Sequence, residues 1–591
     1  MKILFFAPHS AIWVHAFPEA LVAEALAQSG HEVVYVTCGE SLQADCVAMR
    51  ASGLDYRASI EQRQAVCSRC NANAGILRKR VGLAGYDMAA MLRAEDKSRV
   101  EEIVSGIGDA DFLGLEIDGV PVGRYALYEL LLHRKKGDLR LTADEWPEYR
   151  AALKSALTAL FAGRRILDSE QPDRLVTYNS LYAVNRVLSR LAELRNIAPY
   201  FLHAGGNLSR RLQSLMIGRD YTFRFVKSLV AEWPRFRHRP CPPELIEQIT
   251  AHFLVLFSGQ SVFGYSSAAD SGNVDLKAKY GIREDQRLLV ATMSSPDERF
   301  AAQTIGALPP DEGLLFPTQL EWIQALVTFV SSRPDLFLLI RVHPREFPNK
   351  REGVRSQHAE LLTRAFAMLP ANTRVNWPSD GVALYDLANY TDVFLNSWSS
   401  AGKEMALLGI PVVAYAPDLM FYPSDLNYVG TTEAQFFATI DRALKDGWSI
   451  ERSRAVYRWL AVEYAYGLVD ISESYRQIEQ SRPTVAGRFL NRLQAWADPN
   501  FAQKRDCRRR AATLKERRRI EQTLLLAAAS TPLDERLAWG FPACDAAEEE
   551  VAVRASLVRI GQALFGSTPS SAHSGPLAKH LAALRQMKRA A

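Results

Sequence analysis

Three groups of polar residues in the second half of the chain follow apolar segments, and their chemical types suit a phosphate-bearing ligand. The groups are Ser294, Ser295, Asp297 and Glu298 after segment 287–293; Arg341, His343 and Arg345 around the end of 336–342; and Asn396, Ser397, Ser399, Ser400 and Glu404 after 392–395. Serine hydroxyls and backbone N–H groups at a helix start bind anions. An imidazole flanked by guanidinium groups suits a diphosphate or a phosphate-linked sugar acid. A carboxylate one turn into a helix, at Glu404, suits the hydroxyls of a ribose.

The segments that carry these groups alternate in type, as the strands and helices of a parallel sheet do. Strands are predicted at 287–293, 336–342, 373–377, 392–396 and 411–415, with helices between them. Ligands of such sheets bind at the carboxyl ends of the strands, so the three groups should meet at one edge. The first half shows the same alternation, with strands at 2–7, 32–37, 174–178 and 199–203. The sequence therefore predicts two doubly wound α/β domains, 1–270 and 271–485, facing each other across a cleft.

Each group by itself has a common structural explanation. Two serines before a helix usually cap it, and His-Pro after a strand usually forms a turn. A single glutamate on a helix, such as Glu404, usually faces solvent. The order in which the groups occur is far more specific than any one of them.

Charge is concentrated in the last hundred residues. The chain has 591 residues and a formal net charge of +5, but residues 504–519 hold nine basic and two acidic side chains. This window therefore carries +7 and the rest of the chain −2, which argues against a general nucleic-acid-binding surface. Residues 486–591 are predicted to form a helical, basic extension. Two explanations of its charge stay open: a helix lying on an anionic membrane surface, or a helix docked on the acidic body or on a partner.

Cysteine usage and hydropathy favour a cytoplasmic protein without a structural metal. The chain has seven cysteines, and the Cys67-x-x-Cys70 pair has no second pair to complete a zinc site, so free thiols are expected. No apolar run reaches the roughly 18 residues of a membrane span. The apolar N-terminus is broken by Pro8, His9 and His15, unlike a secretory signal.

Three segments together resemble a known family. LLVATMSSPDE, LLIRVHPRE and YDLANYTDVFLNSWSSAGKEMALLGIPVVAY look like the donor-binding domain of GT-B glycosyltransferases. The likeness is greatest to the bacterial capsule and surface-polysaccharide group, with the His-Pro and Ser-Ser motifs of Kdo and sialic acid transferases. The first-half segment IDGVPVGRYALYELLLHRKKGDL resembles a recurrent piece of the same proteins. The resemblance covers residues 1–480.

The resemblance implies a GT-B fold and a nucleotide-sugar donor, CMP- or UDP-linked, with a surface polysaccharide or lipid-linked glycan as acceptor. Arg341 and His343 would face the donor phosphate, Ser399 and Ser400 the phosphate or nucleotide, and Glu404 the nucleotide. Ser294, Ser295, Glu298 and Arg345 complete the predicted donor site. The same layout occurs in nucleotide-sugar 2-epimerases and in polyol-phosphate polymer transferases, so the identity of the donor stays open.

No Asp-x-Asp pattern follows a strand, and no metal or tightly bound cofactor is expected. The charge of the departing diphosphate would then be neutralised by side chains and a helix end. Nucleic acid is not an expected partner. The location that fits these features is the cytoplasm, free or peripheral at the inner face of the cell membrane.

A transfer reaction also needs a general base, which should come from the first domain. His15 is the leading candidate, followed by Asp118 and His203. A structural hydrogen-bonding role is the commoner explanation for any one of these residues. Two rival functions stay open: a 2-epimerase, and a non-catalytic scaffold that keeps the fold in a polysaccharide assembly complex.

Overall fold

The computed structural model describes residues 1–259, 275–349, 353–475, 494, 496–509, 514–526, 542–566 and 575–586. Twelve strands in this part of the chain form two six-stranded sheets. The strands are β1 Lys2–Phe6, β2 Glu32–Val36, β3 Arg174–Tyr178, β4 Ala198–Ala204, β5 Ser214–Arg219, β6 Arg287–Thr292, β7 Leu336–Arg341, β8 Thr373–Asn376, β9 Val393–Asn396, β10 Val412–Ala414, β11 Tyr428–Val429 and β12 Val469–Asp470.

The first sheet has the order β12-β5-β4-β3-β1-β2. Strands β2, β1, β3 and β4 are parallel, and β5 and β12 add an antiparallel edge. The central strands are apolar because helices cover both of their faces. The helices of this half of the chain are α1 Trp13–Gln28, α2 Val47–Arg50, α3 Ile60–Val81, α4 Ala94–Gly106, α5 Val122–Tyr125, α6 Tyr128–Arg134, α7 Glu145–Glu170, α8 Ala183–Glu193, α9 Thr222–Phe236 and α10 Pro243–Phe257.

The second sheet has the order β11-β10-β9-β6-β7-β8 and is parallel throughout. Thr292 is paired with Arg341 on one side and with Asn396 on the other, so β6, β7 and β9 end side by side. The helices of this part are α11 Leu276–Tyr280, α12 Asp297–Thr304, α13 Gln319–Ser331, α14 Gln357–Ala365, α15 Leu384–Ala388, α16 Ala401–Leu407, α17 Glu433–Asp446 and α18 Ile450–Ala461. The predicted fold class, two Rossmann-like domains of the GT-B kind, is confirmed.

The chain crosses between the domains more than once. Helix α10 of the first half and helix α18 of the second pack together. After α18, a π-helical turn at Val462–Tyr466 leads into β12, which joins the first sheet. The predicted domain boundaries at 270 and 485 lie outside the described residues.

The basic extension is docked on the body of the protein. Its described helices are α19 Phe501–Arg509, α20 Leu514–Leu526, α21 Ala546–Phe565 and α22 Pro576–Gln586. Cys507, Ile520 and Leu524 are buried in the core of the first domain, and Trp13 Nε1 donates to Asp506 at 3.0 Å. These three side chains are therefore buried against the body of the protein, which favours docking of the extension over its insertion into a membrane. None of the described helices is long and apolar enough to cross a bilayer.

The docked helix α20 should contribute to the stability of the first domain. Ile520 is 2% exposed, so Ile520→Val should lower the free energy of unfolding by about 0.5–1.5 kcal/mol. Thermal unfolding would measure this, with Val551→Ala as the control because Val551 is 60% exposed. A variant as stable as the wild-type protein would mean that α20 is not docked in solution.

Candidate functional site

A cleft of about 260 Å³ lies where the two sheets face each other, and we refer to it as the interdomain cleft. Its lining comes from both halves of the chain. The lining residues are Gly206, Leu208, His252, Leu256, Thr292, Met293, Arg341, His343, Pro344, Leu384, Ser399, Ser400, Ala401, Lys403, Glu404 and Tyr464. Five of the predicted donor-site residues are among them: Arg341, His343, Ser399, Ser400 and Glu404.

His343 follows β7 and is held by the turn that it begins. Its Nδ1 accepts a hydrogen bond from the backbone N–H of Arg345 at 3.2 Å. A neutral ring that accepts at Nδ1 carries its proton on Nε2, so Nε2 is a donor. Burial lowers the pKa of His343 to about 4. At neutral pH the ring is therefore an uncharged hydrogen-bond donor.

Arg341 supplies positive charge at the floor of the cleft. Its Nη1 donates to Asn376 Oδ1 and, at 3.0 Å, to the carbonyl of Val382. Burial lowers the pKa of Arg341 to about 10, which still leaves the guanidinium charged at neutral pH. A buried cation of this kind favours a ligand with negative charge.

Ser399, Ser400 and Glu404 follow β9, at the start of α16. Ser399 Oγ accepts from the Ala401 N–H at 3.2 Å, so this serine acts partly as a cap. Ser400 Oγ donates to Glu404 Oε1 at 3.2 Å, and Tyr385 donates to Oε2 at 3.0 Å. Each carboxylate oxygen has two lone pairs and uses one of them in these bonds, so each oxygen keeps one lone pair as an acceptor. Burial raises the pKa of Glu404.

Three cleft residues escaped sequence reasoning. Lys403 donates to Glu463 Oε2 at 2.7 Å, and its ammonium group lies 5.4 Å from the ring centroid of Tyr464. His252 Nδ1 accepts from the Leu208 N–H at 2.9 Å, which orients its ring in the cleft. Lys403 lies between Ser400 and Glu404 in the sequence, so the motif that predicted these two residues could also have indicated Lys403. His252 and Tyr464 carry no local signal, since a helix of the first half and a π-helical turn bring them to the cleft.

Ser294 and Ser295 lie next to the cleft but are not part of its lining. Ser294 Oγ is 2.7 Å from Ser397 Oγ, and the Ser294 N–H donates to Gln319. Ser295 Oγ donates to Asp297 Oδ1 at 2.6 Å. The contact between Ser294 and Ser397 joins the loops that follow β6 and β9.

Arg345 and Glu298 do not line the cleft either. The Arg345 guanidinium makes a buried ion pair with Asp297 at 2.8 Å and donates to the Leu132 carbonyl of the first domain at 3.0 Å. Glu298 is mostly exposed, 3.7 Å from the same guanidinium. Arg345 thus joins the two domains, and its role as a phosphate ligand, predicted from sequence, finds no support in this placement.

Arg345→Lys should weaken the link between the domains without weakening nucleotide binding. A lysine cannot keep both the paired contact to Asp297 and the bond to Leu132. Each charge-assisted hydrogen bond lost should cost about 1.5 kcal/mol of unfolding free energy. Chemical denaturation and calorimetric titration with nucleotides would measure the two properties. Weaker nucleotide binding with unchanged stability would contradict this role.

A second cavity, of about 410 Å³, lies beside the Arg345–Asp297 pair. Its basic groups already have partners. Lys135 donates to the carbonyl of Val354 at 2.6 Å, Lys136 lies 3.1 Å from Glu145, and Arg299 pairs with Asp311. Lys136 and Arg299 pair with carboxylates, which largely neutralise their charges, whereas Arg341 in the interdomain cleft donates to uncharged groups.

Two candidate bases lie close together at the carboxyl ends of the first sheet. The His15 ring stacks on Tyr178 with centroids 4.2 Å apart, and the His203 ring centroid lies 5.8 Å from that of the same tyrosine. Burial is the main cause that lowers the pKa of His15 to about 3 and of His203 to about 4. Both rings are neutral at physiological pH, as a base must be before it accepts a proton. Neither residue is in the cleft lining.

Asp118 is placed differently. It occupies a surface turn with φ of 54° and forms an ion pair with Arg164 at 2.8 Å. Its side chain is 46% exposed and does not line the cleft. This placement favours a structural role in the turn over a role as base.

The thiols and the potential metal ligands also have defined places. All seven cysteines are free, and Cys38, Cys67, Cys241 and Cys507 are buried. In the described ranges, no group of three or more His, Cys, Asp or Glu side chains has the geometry to hold a metal ion.

Comparison with known proteins gives only distant matches. No protein-family model matches the chain, and no curated protein matches it. Among solved structures, the UDP-GlcNAc 2-epimerase from Neisseria meningitidis bound to UDP-GlcNAc is 10% identical, with a TM-score of 0.23, covering 80% of this chain and 97% of its own. Spinosyn rhamnosyltransferase SpnG complexed with thymidine diphosphate is 14% identical, with a TM-score of 0.23 and coverage of 78% and 96%. The calicheamicin glycosyltransferase CalG4 is 13% identical, with a TM-score of 0.24 and coverage of 78% and 94%.

These identities and TM-scores are too low to say what this chain binds. The assignment of the fold comes from the sheet orders and strand directions themselves. On that evidence, the chain has two Rossmann-like domains that face a common cleft.

Proposed function

We propose that the protein is a glycosyltransferase that moves a sugar from a nucleotide donor to a surface polysaccharide or a lipid-linked glycan. The observation that carries the proposal is the grouping of Arg341, His343, Ser399, Ser400 and Glu404 around one cleft. These residues lie at the ends of two strands, β7 and β9, which flank β6 in the sheet. The cleft sits at the carboxyl edge of this parallel sheet, where such folds bind nucleotides.

The chemistry of the cleft suits a nucleoside diphosphate or monophosphate. Arg341 offers a buried positive charge and His343 an uncharged N–H donor, both of which stabilise the negative charge that grows on a departing phosphate. Glu404 offers two carboxylate oxygens to the hydroxyls of a ribose. None of these interactions requires a metal ion.

The acceptor hydroxyl would give up its proton to a base of the first domain, and His15 is the residue that we propose, with His203 as the alternative. The bond from the sugar carbon to the donor phosphate breaks as the bond to the acceptor oxygen forms. The two domains would close around the donor to bring the base within reach.

Calorimetric titration with UDP, CMP, GDP, CDP and TDP, followed by assays with the matching nucleotide sugars, would test this function. We expect binding of one or two of these nucleotides and release of the nucleotide from its sugar donor. Product analysis separates the enzymatic alternatives, because a 2-epimerase would invert the configuration at C2 of the donor sugar without any acceptor. No binding of any nucleotide would leave a non-catalytic scaffold as the surviving explanation.

A peripheral position at the membrane is a further part of the proposal. With Cys507, Ile520 and Leu524 buried, helices α19 and α20 still present basic side chains to solvent, including the exposed Arg508 and Arg518. Flotation with vesicles containing anionic lipids should show binding that Arg508→Gln and Arg518→Gln together reduce and that salt weakens. Equal flotation of the wild-type and the double variant would contradict this attachment.

A further inference from the structure

A small cavity of about 10 Å³ lies behind the candidate base, between the end of β1 and helix α1. Most of its accessible wall is apolar, but five side chains that carry polar groups also contribute to it. His9, His15, Glu19, Tyr178 and Asn185 all contribute to it, together with apolar groups of β1 and α1.

The polar atoms around this cavity lack protein partners. Both ring nitrogens of His9, Nδ1 of His15, Oε1 of Glu19 and Oδ1 of Asn185 are buried and make no hydrogen bond within the protein. His9 is 7% exposed, Glu19 2% and Asn185 1%. Each such atom costs about 1–3 kcal/mol if nothing satisfies it. Native interiors rarely leave polar atoms in this condition, and water commonly fills the gap.

The orientation of these groups is fixed by their other contacts. Asn185 Nδ2 donates to the carbonyls of Tyr178, at 2.7 Å, and Asn179, at 3.1 Å, which leaves Oδ1 as an acceptor without a protein partner. The Glu19 carboxyl accepts a hydrogen bond from the backbone of Tyr178. The ring of Tyr178 stacks on His15. These contacts restrict how the side chains around the cavity can turn.

A single water molecule fits the volume of this cavity and would satisfy unpartnered polar atoms of the side chains around it. A buried water needs roughly 10–15 Å³ of accessible space and two to four polar partners. The four side chains offer acceptors at Asn185 and Glu19 and ring nitrogens at His9 and His15. A metal ion is a poor fit, because these side chains are not among any set of described residues with metal-binding geometry.

We propose that this cavity holds one ordered water, which bridges Glu19, His9 and Asn185 to Nδ1 of His15 and so fixes the His15 ring. The part of the proposal in which His15 acts as the base rests on the proposed function. In that reaction Glu19 is a positioning residue. The water itself would be present whether or not the protein is a transferase.

Glu19→Met tests the water independently of activity. Methionine has a similar size and no polar group that could hold a water. In a dry cavity the variant would remove an unsatisfied carboxyl and raise the melting temperature. We expect instead a fall of about 2–4 °C and a change in the ring ¹⁵N chemical shifts of His15, while Glu19→Gln stays near the wild-type protein. Glu24→Met, on the same helix, should leave the His15 shifts unchanged.

Two outcomes would overturn the water site: a Glu19→Met protein at least as stable as the wild type, or His15 shifts that do not move. Turnover tests the positioning role separately. If His15 is the base, Glu19→Met should lower kcat by about 10²-fold with little change in KM, and Glu19→Gln should retain most activity. Altered His15 shifts with normal kcat would keep the water and refute the positioning role of Glu19, and the nucleotide titrations would still judge the proposed function on their own.

Discussion

Replacing His343 by alanine is expected to lower the kcat of sugar transfer by about 10²–10³-fold. The ring is neutral, its Nδ1 is occupied by the Arg345 N–H, and its Nε2–H is the donor. Such a donor is worth most when negative charge appears on the leaving phosphate in a site with little water. Because it acts mainly in the transition state, kcat should fall more than the affinity for the nucleotide.

The comparison that tests this role is His343→Gln, since glutamine keeps an N–H donor on a side chain of similar reach. It should recover part of the lost turnover. His238→Ala, at an exposed position, is the matched control and should be silent. A folded His343→Ala protein with wild-type kcat would exclude His343 from the reaction.

Replacing Glu404 by alanine should weaken nucleotide binding by about 10–100-fold, the loss of one or two hydrogen bonds to a charged group. Ser400 and Tyr385 each donate to one oxygen of Glu404, which holds the carboxylate in one orientation. If that carboxylate binds the ribose, the wild-type protein should prefer a ribonucleotide over its 2′-deoxy analogue, and Glu404→Ala should lose the preference. Calorimetric titration with both nucleotides measures this. An unchanged preference would place the ribose elsewhere.

The pH dependence of binding gives a second test of Glu404. Burial raises its pKa, so the carboxylate takes up a proton at a higher pH than an exposed glutamate. Protonation removes acceptor capacity, and nucleotide affinity should therefore fall as the pH is lowered through the raised pKa. Glu404→Gln carries no such proton and should show only the titration of the phosphate itself. His343, with a pKa of about 4, stays neutral from pH 8 to pH 5 and should not contribute.

Much of the fold could be predicted because its signals are local. The apolar runs that became β1, β3, β6, β7 and β9 are bounded by Pro, Gly or Ser, and their alternation with helices demands a parallel sheet. Since carboxyl ends of parallel strands share an edge, the sequence also placed Arg341, His343, Ser399, Ser400 and Glu404 near one another. Helix α16 starts at Ala401, directly after Ser399 and Ser400.

Contacts between distant segments could not be predicted in this way. Arg345 has the same residue type and almost the same position as Arg341, yet it pairs with Asp297 and the carbonyl of Leu132. The sequence likewise allowed two explanations of the basic extension, attachment to a membrane surface and docking on the protein. The burial of Cys507, Ile520 and Leu524 against the first domain favours docking.

The sequence by itself determined the two-domain α/β architecture and the chemical types that meet at the cleft, because strand periodicity and strand-end residues are properties of neighbouring positions. Only the tertiary structure decided which of those charges face the cleft, which pair with each other, and that His252 and Tyr464 join the site. The physical reason is burial: a charged or polar side chain taken out of water must find a partner, and that partner is usually far away along the chain.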